Sequence, residues 1–301
     1  MRKIVWLLCA TLFLAIVPSC KSTKTSTAAK MLKFNFEKGK TYDYDMSMTM
    51  DQEIQGQSIK MDGNYYYSMN VTGEEGENKS IVTKIDRFSM KMVAGTFNLD
   101  IDTDKPQTSL GDALSENDPG KILNSVFGMI KGQVFTLTVN PEGKVLEVSG
   151  FENMANNIFD SIGLEQKEKE NALSQFSQQF NAEKMKSQFE RVLYIFPNKE
   201  VNVGESWQKI TDMDAGEIKG KYKSTYKVTD IEGEMVTLSE NSIIESEAGV
   251  NGTNGTVVGT LVVDSRTGLV VSADQDIKMS VSEASQKVDM SIKVKIKGTA
   301  R

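Results

Sequence analysis

Residues 41–51 read Thr-Tyr-Asp-Tyr-Asp-Met-Ser-Met-Thr-Met-Asp. The strict alternation sets Tyr42, Tyr44, Met46, Met48 and Met50 against Asp43, Asp45, Ser47, Thr49 and Asp51. A β-strand turns successive side chains to opposite faces, so this stretch is a strand with one apolar and one polar face. Residues 59–71 return in phase through Ile59, Met61, Tyr65, Tyr67, Met69 and Val71, with Gly56 at the turn. The third run starts in one phase (Ile81, Thr83, Ile85) and ends in the other (Phe88, Met90, Met92), which predicts a bulge near Asp86-Arg87. Phe97, Leu99 and Ile101 make a fourth strand. Asp118-Pro119 predicts the cap and first residue of a short helix carrying Ile122, Leu123, Val126, Phe127 and Ile130. Residues 133–139 and 145–148 then predict a hairpin over Asn140-Pro141-Glu142-Gly143.

The same signature returns later. Gly63-x-Tyr65 through Val71-Thr72-x-x-Glu75-Gly76-Glu77 matches Gly220-x-Tyr222 through Val228-Thr229-x-x-Glu232-Gly233-Glu234, displaced by 157 positions. Residues 37–42 find a looser echo in 203–207, and the Gly143 hairpin finds one in 263–270. Three echoes in one order predict a duplicated β unit. The acidic Glu-Gly-Glu element reads as a hairpin turn with solvated charges, glycine supplying the backbone freedom. Asn251-Gly252 and Asn254-Gly255 are strong turn dipeptides. In the last run Val288, Met290, Ile292, Val294 and Ile296 point inward, and the outward Lys293, Lys295 and Lys297 suit an edge strand.

Between the halves, residues 152–196 have helical period. Met154, Ala155, Ile158, Phe159 and Ile162 form one stripe, and Leu173, Phe176 and Phe180 a second. Asn181 is the expected N-cap of a third, with Glu183 in its first turn, Met185, Phe189, Val192, Leu193 and Phe196 as its stripe, and Pro197-Asn198 at its end. Each stripe should be buried against a sheet. The expected fold is α+β and mainly antiparallel β. Two related β halves form a curved sheet or half-barrel, with helices inserted between them and packed on it. The spans are 31–150 (first β half with one short helix), 151–197 (helical middle) and 198–301 (second β half).

Arg2-Lys3 precede an uncharged apolar run over residues 4–17, too short to span a bilayer but suited to a signal-peptide core. Val17-Pro18-Ser19-Cys20 resembles the bacterial lipoprotein lipobox. That resemblance implies cleavage after Ser19, so residues 1–19 are a leader, with lipidation at Cys20. Two or more acyl chains anchor stably where one is marginal. Residues 20–30 continue as a Ser/Thr/Lys-rich tether able to reach about 33 Å from a membrane. Lys21 in place of Asp resembles outer-membrane sorting, and the expected location is the outer membrane, lipid-anchored and facing the periplasm.

The remaining cysteine, Cys9, lies in the leader, so the mature chain has no disulfide and no thiolate chemistry. Removing Arg2 and Lys3 with the leader leaves 33 of 35 basic residues against 41 acidic, a net charge of −8, which argues against a nucleic-acid partner. The chain has no histidine, which excludes Ser-His and Cys-His nucleophile pairs, histidine-ligated zinc and the usual neutral-pH base. It carries no glycine-rich phosphate loop, and no carboxylate pair stands out for glycoside hydrolysis. No enzyme activity, cofactor or metal is expected. Asp100-x-Asp102-x-Asp104 resembles the start of a calcium loop but lacks its glycine and terminal glutamate, and reads as a polar loop.

The suggestive surface is apolar. Met46, Met48, Met50, Met61, Met69, Met90 and Met92 lie in phase with Tyr42, Tyr44, Tyr65 and Tyr67. Methionine adapts to irregular apolar partners. That face reads either as core under the helices or as the wall of a cavity for a lipid or other apolar ligand. The lipobox, the tether, Phe34-x-Phe36-Glu37-Lys38-Gly39-Lys40-Thr41-Tyr42, the Glu-Gly-Glu turn and the helical middle together resemble an uncharacterised family of Bacteroidota lipoproteins with a domain of unknown function. A curved sheet with helices on its concave side is also similar to the periplasmic carriers of the lipoprotein-localisation class. The leading expectation is a non-enzymatic ligand-binding lipoprotein whose partners are the membrane, through Cys20, and an apolar molecule. The alternatives are an envelope scaffold docking another protein, or a glycan-binding module.

Overall fold

The structure is a computed structural model. It describes residues 28–54, 56–106, 119–150, 181–215, 218–246, 252–283 and 286–301, with isolated positions between 108 and 174. The leader, Cys20 and the stripes Met154–Ile162 and Leu173–Phe180 lie outside the described residues. In chain order the strands are β1 (Lys30–Leu32), β2 (Thr41–Ile54), β3 (Gln57–Glu75), β4 (Asn78–Ala94), β5 (Phe97–Asp102), β6 (Val134–Val139), β7 (Val145–Ser149), β8 (Lys199–Val201), β9 (Ser206–Ala215), β10 (Ile218–Glu232), β11 (Met235–Ser246), β12 (Gly252–Asp264), β13 (Leu269–Glu283) and β14 (Gln286–Ala300). Two helices stand among the described residues, α1 (Pro119–Gly128) after β5 and α2 (Ala182–Leu193) after β7.

The architecture is α+β and mainly antiparallel β, as the alternation requires. One large sheet runs β7-β6-β4-β3-β2-β14-β13-β12-β11-β10-β9, with β5 also on β4. The two halves meet where β14 pairs with β2, Ile296 opposite Met46. The expected bulge is present: Tyr66 faces Arg87 and Tyr67 faces Ile85, leaving Asp86 extra. It divides β4, whose first part pairs with β6 and whose second part pairs with β5.

The duplication is visible in the hydrogen bonds. Gly39 N–H donates to Val71 O at 2.9 Å and Val71 N–H to Lys40 O at 3.1 Å; Gly204 N–H donates to Val228 O at 2.8 Å and Val228 N–H to Glu205 O at 2.9 Å. Register shifts at Val71/Gly73 and Val228/Asp230 repeat the same irregularity. Thr72 Oγ1 donates to Ser80 O, and Thr229 Oγ1 to Thr237 O. Gly76 and Gly233 hold φ of 59° and 57° in matching hairpin turns, so Glu-Gly-Glu is a turn.

Two expectations are corrected. β14 is no edge strand: it lies between β13 and β2, and its outward lysines meet the neighbouring strand's acids, Lys295–Asp274 at 3.2 Å and Lys293–Asp276 at 4.0 Å. Asn254-Gly255 is no turn but lies inside β12, where a Cβ on Gly255 would come within 2.8 Å of Lys278 O. That glycine serves close strand approach.

The sheet is open, with β7 and β9 as its free edges, and α2 packs against both. Asn181, at φ −142°, accepts from Lys184 N–H at 2.9 Å and caps α2 as expected. Ser187 Oγ donates to Asp212 O of β9 at 2.5 Å, and Glu190 accepts from the Val145 N–H of β7. The helix thus supplies side-chain partners to two strands that each lack a neighbour on one side. Trp207 Nε1 donates to Ile195 O at 2.8 Å, and Lys209 of β9 pairs with Glu142 of the β6–β7 turn while covering the Tyr194 ring at 4.2 Å. Trp207 is packed against the core. Leu32, Phe34, Phe36, Phe196 and Val201, around the short β1–β8 ribbon, seal this closed end.

Candidate functional site

Alternation and register place every Met and Tyr singled out above on the inner face, but at different depths. Tyr42, Tyr44, Tyr67 and Met69 are buried in the main core beneath α2, with Tyr67 edge-on to Phe189 at 5.8 Å. Met46 packs against the same core. Tyr65, Met90 and Met92 pack on a second cluster of Phe88, Leu99 and Ile101, beside Phe127 of α1. Met48, Met50 and Met61 lie beyond these clusters and are half-buried. They belong to a row that crosses the junction of the halves. Met61 faces Met50, Met50 faces Ile292, Ile292 faces Ile277 and Ile277 faces Val257. The opposite face of the same strands carries Asp51, Lys60, Ser291, Lys278 and Thr256.

The row ends in polar residues that the sequence reading passed over. Val257 faces Ser242, Ser242 faces Ser224, and Ser224 faces Lys209. One inward position along β11 from Ser242 is Glu240, only 1% exposed. Ser242 Oγ lies 2.6 Å from Glu240 Oε1 and 2.8 Å from Ser224 Oγ, and Gln275 Nε2 donates to Glu240 Oε2 at 2.6 Å. Burial raises the Glu240 carboxyl above its ordinary value, against the hydrogen bonds from Ser242, Gln275 and Ser224. Burial likewise raises the Tyr222 and Tyr226 phenols, with the Glu240 charge adding to it. The signal was present in Leu238-x-Glu240-x-Ser242-x-Ile244, an acid in phase with apolar neighbours.

This carboxyl makes a pH prediction. The folded state holds its proton more tightly than the unfolded chain, so its contribution is lost as pH rises above about 4.5 and through the folded titration. Glu240→Gln lacks that loss. The melting temperature of the variant is expected to gain on the unsubstituted protein as pH rises above about 4.5, and the gain to level off once the folded carboxyl has titrated. Parallel melting curves across that range would show that Glu240 is not buried in this way.

Other candidate chemistry is accounted for locally. Arg87 donates to both Asp102 oxygens at 3.1 and 2.8 Å and holds that carboxyl below its usual range; Lys105 pairs with Asp100 and Lys131 with Asp104. Among the described residues no three histidine, cysteine or acidic side chains come together as metal ligands. Two hollows open mainly on the outward face, and the first also touches Met279 and Met290. One, of about 910 Å³, is lined by Asp51, Glu53, Glu245, Lys278 and Asp289. The other, of about 510 Å³, includes the exposed Ile210, Ile243 and Val258.

Comparison with known proteins gives a family and a fold. Residues 76–270 match one family profile, of unknown function. No curated protein matches the chain. Among solved structures, one concerned with lipid–protein interactions in lipovitellin superposes with a TM-score of 0.50 at 11% identity, over 89% of this chain and 26% of that one. The likeness is one of fold, and the chain spans about a quarter of the lipovitellin chain. A match to Pseudomonas aeruginosa OccK5 (OpdH), covering 89% of this chain and 99% of that one at 7% identity, has a TM-score of 0.17, too low to indicate a shared fold.

Proposed function

We propose a ligand-binding role for this chain, which belongs to that family of unknown function, DUF6263. It is a non-enzymatic outer-membrane lipoprotein, anchored through Cys20 and facing the periplasm, that holds a lipid or other apolar ligand against the inner sheet face. The observation that carries the reading is the half-buried row Met61–Met50–Ile292–Ile277, which continues the apolar face past the sealed core. Flexible, polarizable methionines suit a ligand of variable shape. The fold likeness to lipovitellin, a protein with lipid–protein interactions, agrees in direction.

The test is native against denaturing mass spectrometry of the protein isolated from its host. A stoichiometric extra mass lost on denaturation is expected. Met48→Asp with Met61→Asp should weaken its retention by about ten-fold or more, because charge is placed in an apolar contact. A bare polypeptide mass would overturn the reading. It would favour the scaffold alternative, for which Ile210, Ile243 and Val258, 55%, 53% and 60% exposed on the outward face, offer a docking patch.

A further inference from the structure

We propose that Glu240, with Gln275, Ser242 and Ser224 around it, is the polar anchor of the inner face and receives the positively charged, hydrogen-bond-donating head of an amphiphile. The inference rests on the ligand-binding reading above and names the ligand's polar end.

The apolar row from Met61 to Val257 runs directly into Ser242, whose hydroxyl touches Glu240. From β3 to β11 the path crosses five strand spacings, roughly 24 Å at about 4.8 Å each, the length of a long alkyl chain with its head. Directly opposite Glu240 is Gly259, and opposite Gly259 is Gln275. A Cβ on Gly259 would meet Gln275 Cγ at 2.8 Å, so the glycine lets Gln275 lean across a strand to the carboxyl. Gln275, Ser242 and Ser224 fill three of about four acceptor positions on a carboxylate, which leaves one for a further donor.

All its described hydrogen-bond partners are neutral. Lys209, across from Ser224, is paired with Glu142. An acid buried among neutral groups destabilises a fold, and the inward neighbours Leu238 and Ile244 show what packing alone would place on β11. An ammonium head supplies the missing countercharge together with hydrogen-bond donors, whereas a carboxylate or phosphate head would meet like charge. The same face therefore selects among amphiphiles by the sign of the head.

The experiment is native mass spectrometry of the protein as its host produces it, titrated with dodecylamine, dodecanol and dodecanoate. Dodecylamine is expected to bind about ten-fold tighter than dodecanoate, and Glu240→Gln to bring the two within about two-fold. Glu240→Asp keeps the charge but withdraws it. It should keep the sign of the preference at a several-fold smaller ratio, and it decides the matter if Glu240→Gln does not fold. Equal binding of amine and carboxylate, or a preference that both variants leave untouched, would overturn the anchor while leaving the ligand face standing. Binding of none of the three would overturn the ligand face itself.

Discussion

Gly143→Ala is expected to destabilise the folded protein severely. Gly143 has φ of 83°, and a Cβ built on it would lie 1.7 Å from the Leu193 carbonyl oxygen. The obstacle is backbone at the end of α2, which cannot rotate away as a side chain would. Relieving it means lifting that end from the β6–β7 turn, which breaks the Phe196 N–H to Glu142 O bond at 3.3 Å and displaces the Glu142–Lys209 pair. The expected loss exceeds about 4 kcal/mol, a large share of the roughly 5–15 kcal/mol a domain ordinarily has. Gly268 is its counterpart in the second half, with φ of 76° and Lys33 O 2.5 Å from a built Cβ, so Gly268→Ala should act in the same direction but less. Gly39→Ala is the control: φ is 79° and nothing lies within 4 Å, leaving only the conformational cost of about 1–2 kcal/mol. Urea unfolding followed by circular dichroism compares the three. A Gly143→Ala midpoint near that of Gly39→Ala would mean that the turn and α2 do not meet.

Local period and turn chemistry made the strands legible. Thr41–Ile54 alternates so strictly that no other element fits it, and the change of phase after Ile85 marked the bulge that hands β4 from β6 to β5. The repeat was legible because the turns need glycine and because the irregularity after Val71 and Val228 constrains both copies alike. Strand order was not legible, since β2 and β14 meet across almost the whole chain and no local pattern records a pairing at that separation. The outward lysines of β14 misled for a physical reason: an exposed face and an exposed edge both accept lysine, and only the partners, here Asp274 and Asp276, distinguish them. Asn254-Gly255 misled likewise, because glycine serves close strand approach as well as turns.

Less of the candidate site could be read. Period 2 assigns a face but not a depth, so Tyr42 and Met48 looked equivalent although one is sealed in the core and the other is half-buried. Depth follows from where α2 and the aromatic segment 34–36 land, which is tertiary information. Glu240 escaped notice because 41 acids make any single one inconspicuous, and its in-phase position gains meaning only when Gly259 and Gln275 are seen opposite.

Phe36→Ala is expected to cost about 3–5 kcal/mol, the usual range for deleting a fully buried phenylalanine. Phe36 lies outside any strand or helix, yet it is fully buried, stacked on Tyr42 at 3.7 Å between ring centroids and 4.4 Å from Phe34. Removing the ring opens a cavity where the surroundings cannot collapse. Tyr42 is held by the Glu37 N–H, which donates to its hydroxyl at 2.9 Å, and Phe34 N–H is tied to Pro141 O at 2.7 Å. Met48→Ala, by contrast, trims a half-buried side chain beyond the core clusters, and its expected cost is below about 2 kcal/mol. Ligand retention should rank the two substitutions the other way. Molecules of Phe36→Ala that remain folded should keep the extra mass, because the loss is confined to the closed end. Met48→Ala should release it more readily although the protein is barely less stable. Urea midpoints and native mass spectra of the same samples test both halves of this ranking. A Phe36→Ala protein that folds but has lost its ligand would mean that the closed end and the methionine row form one continuous packing unit. The division of the sheet into a sealed end for stability and an adaptable face for binding would then have to be abandoned.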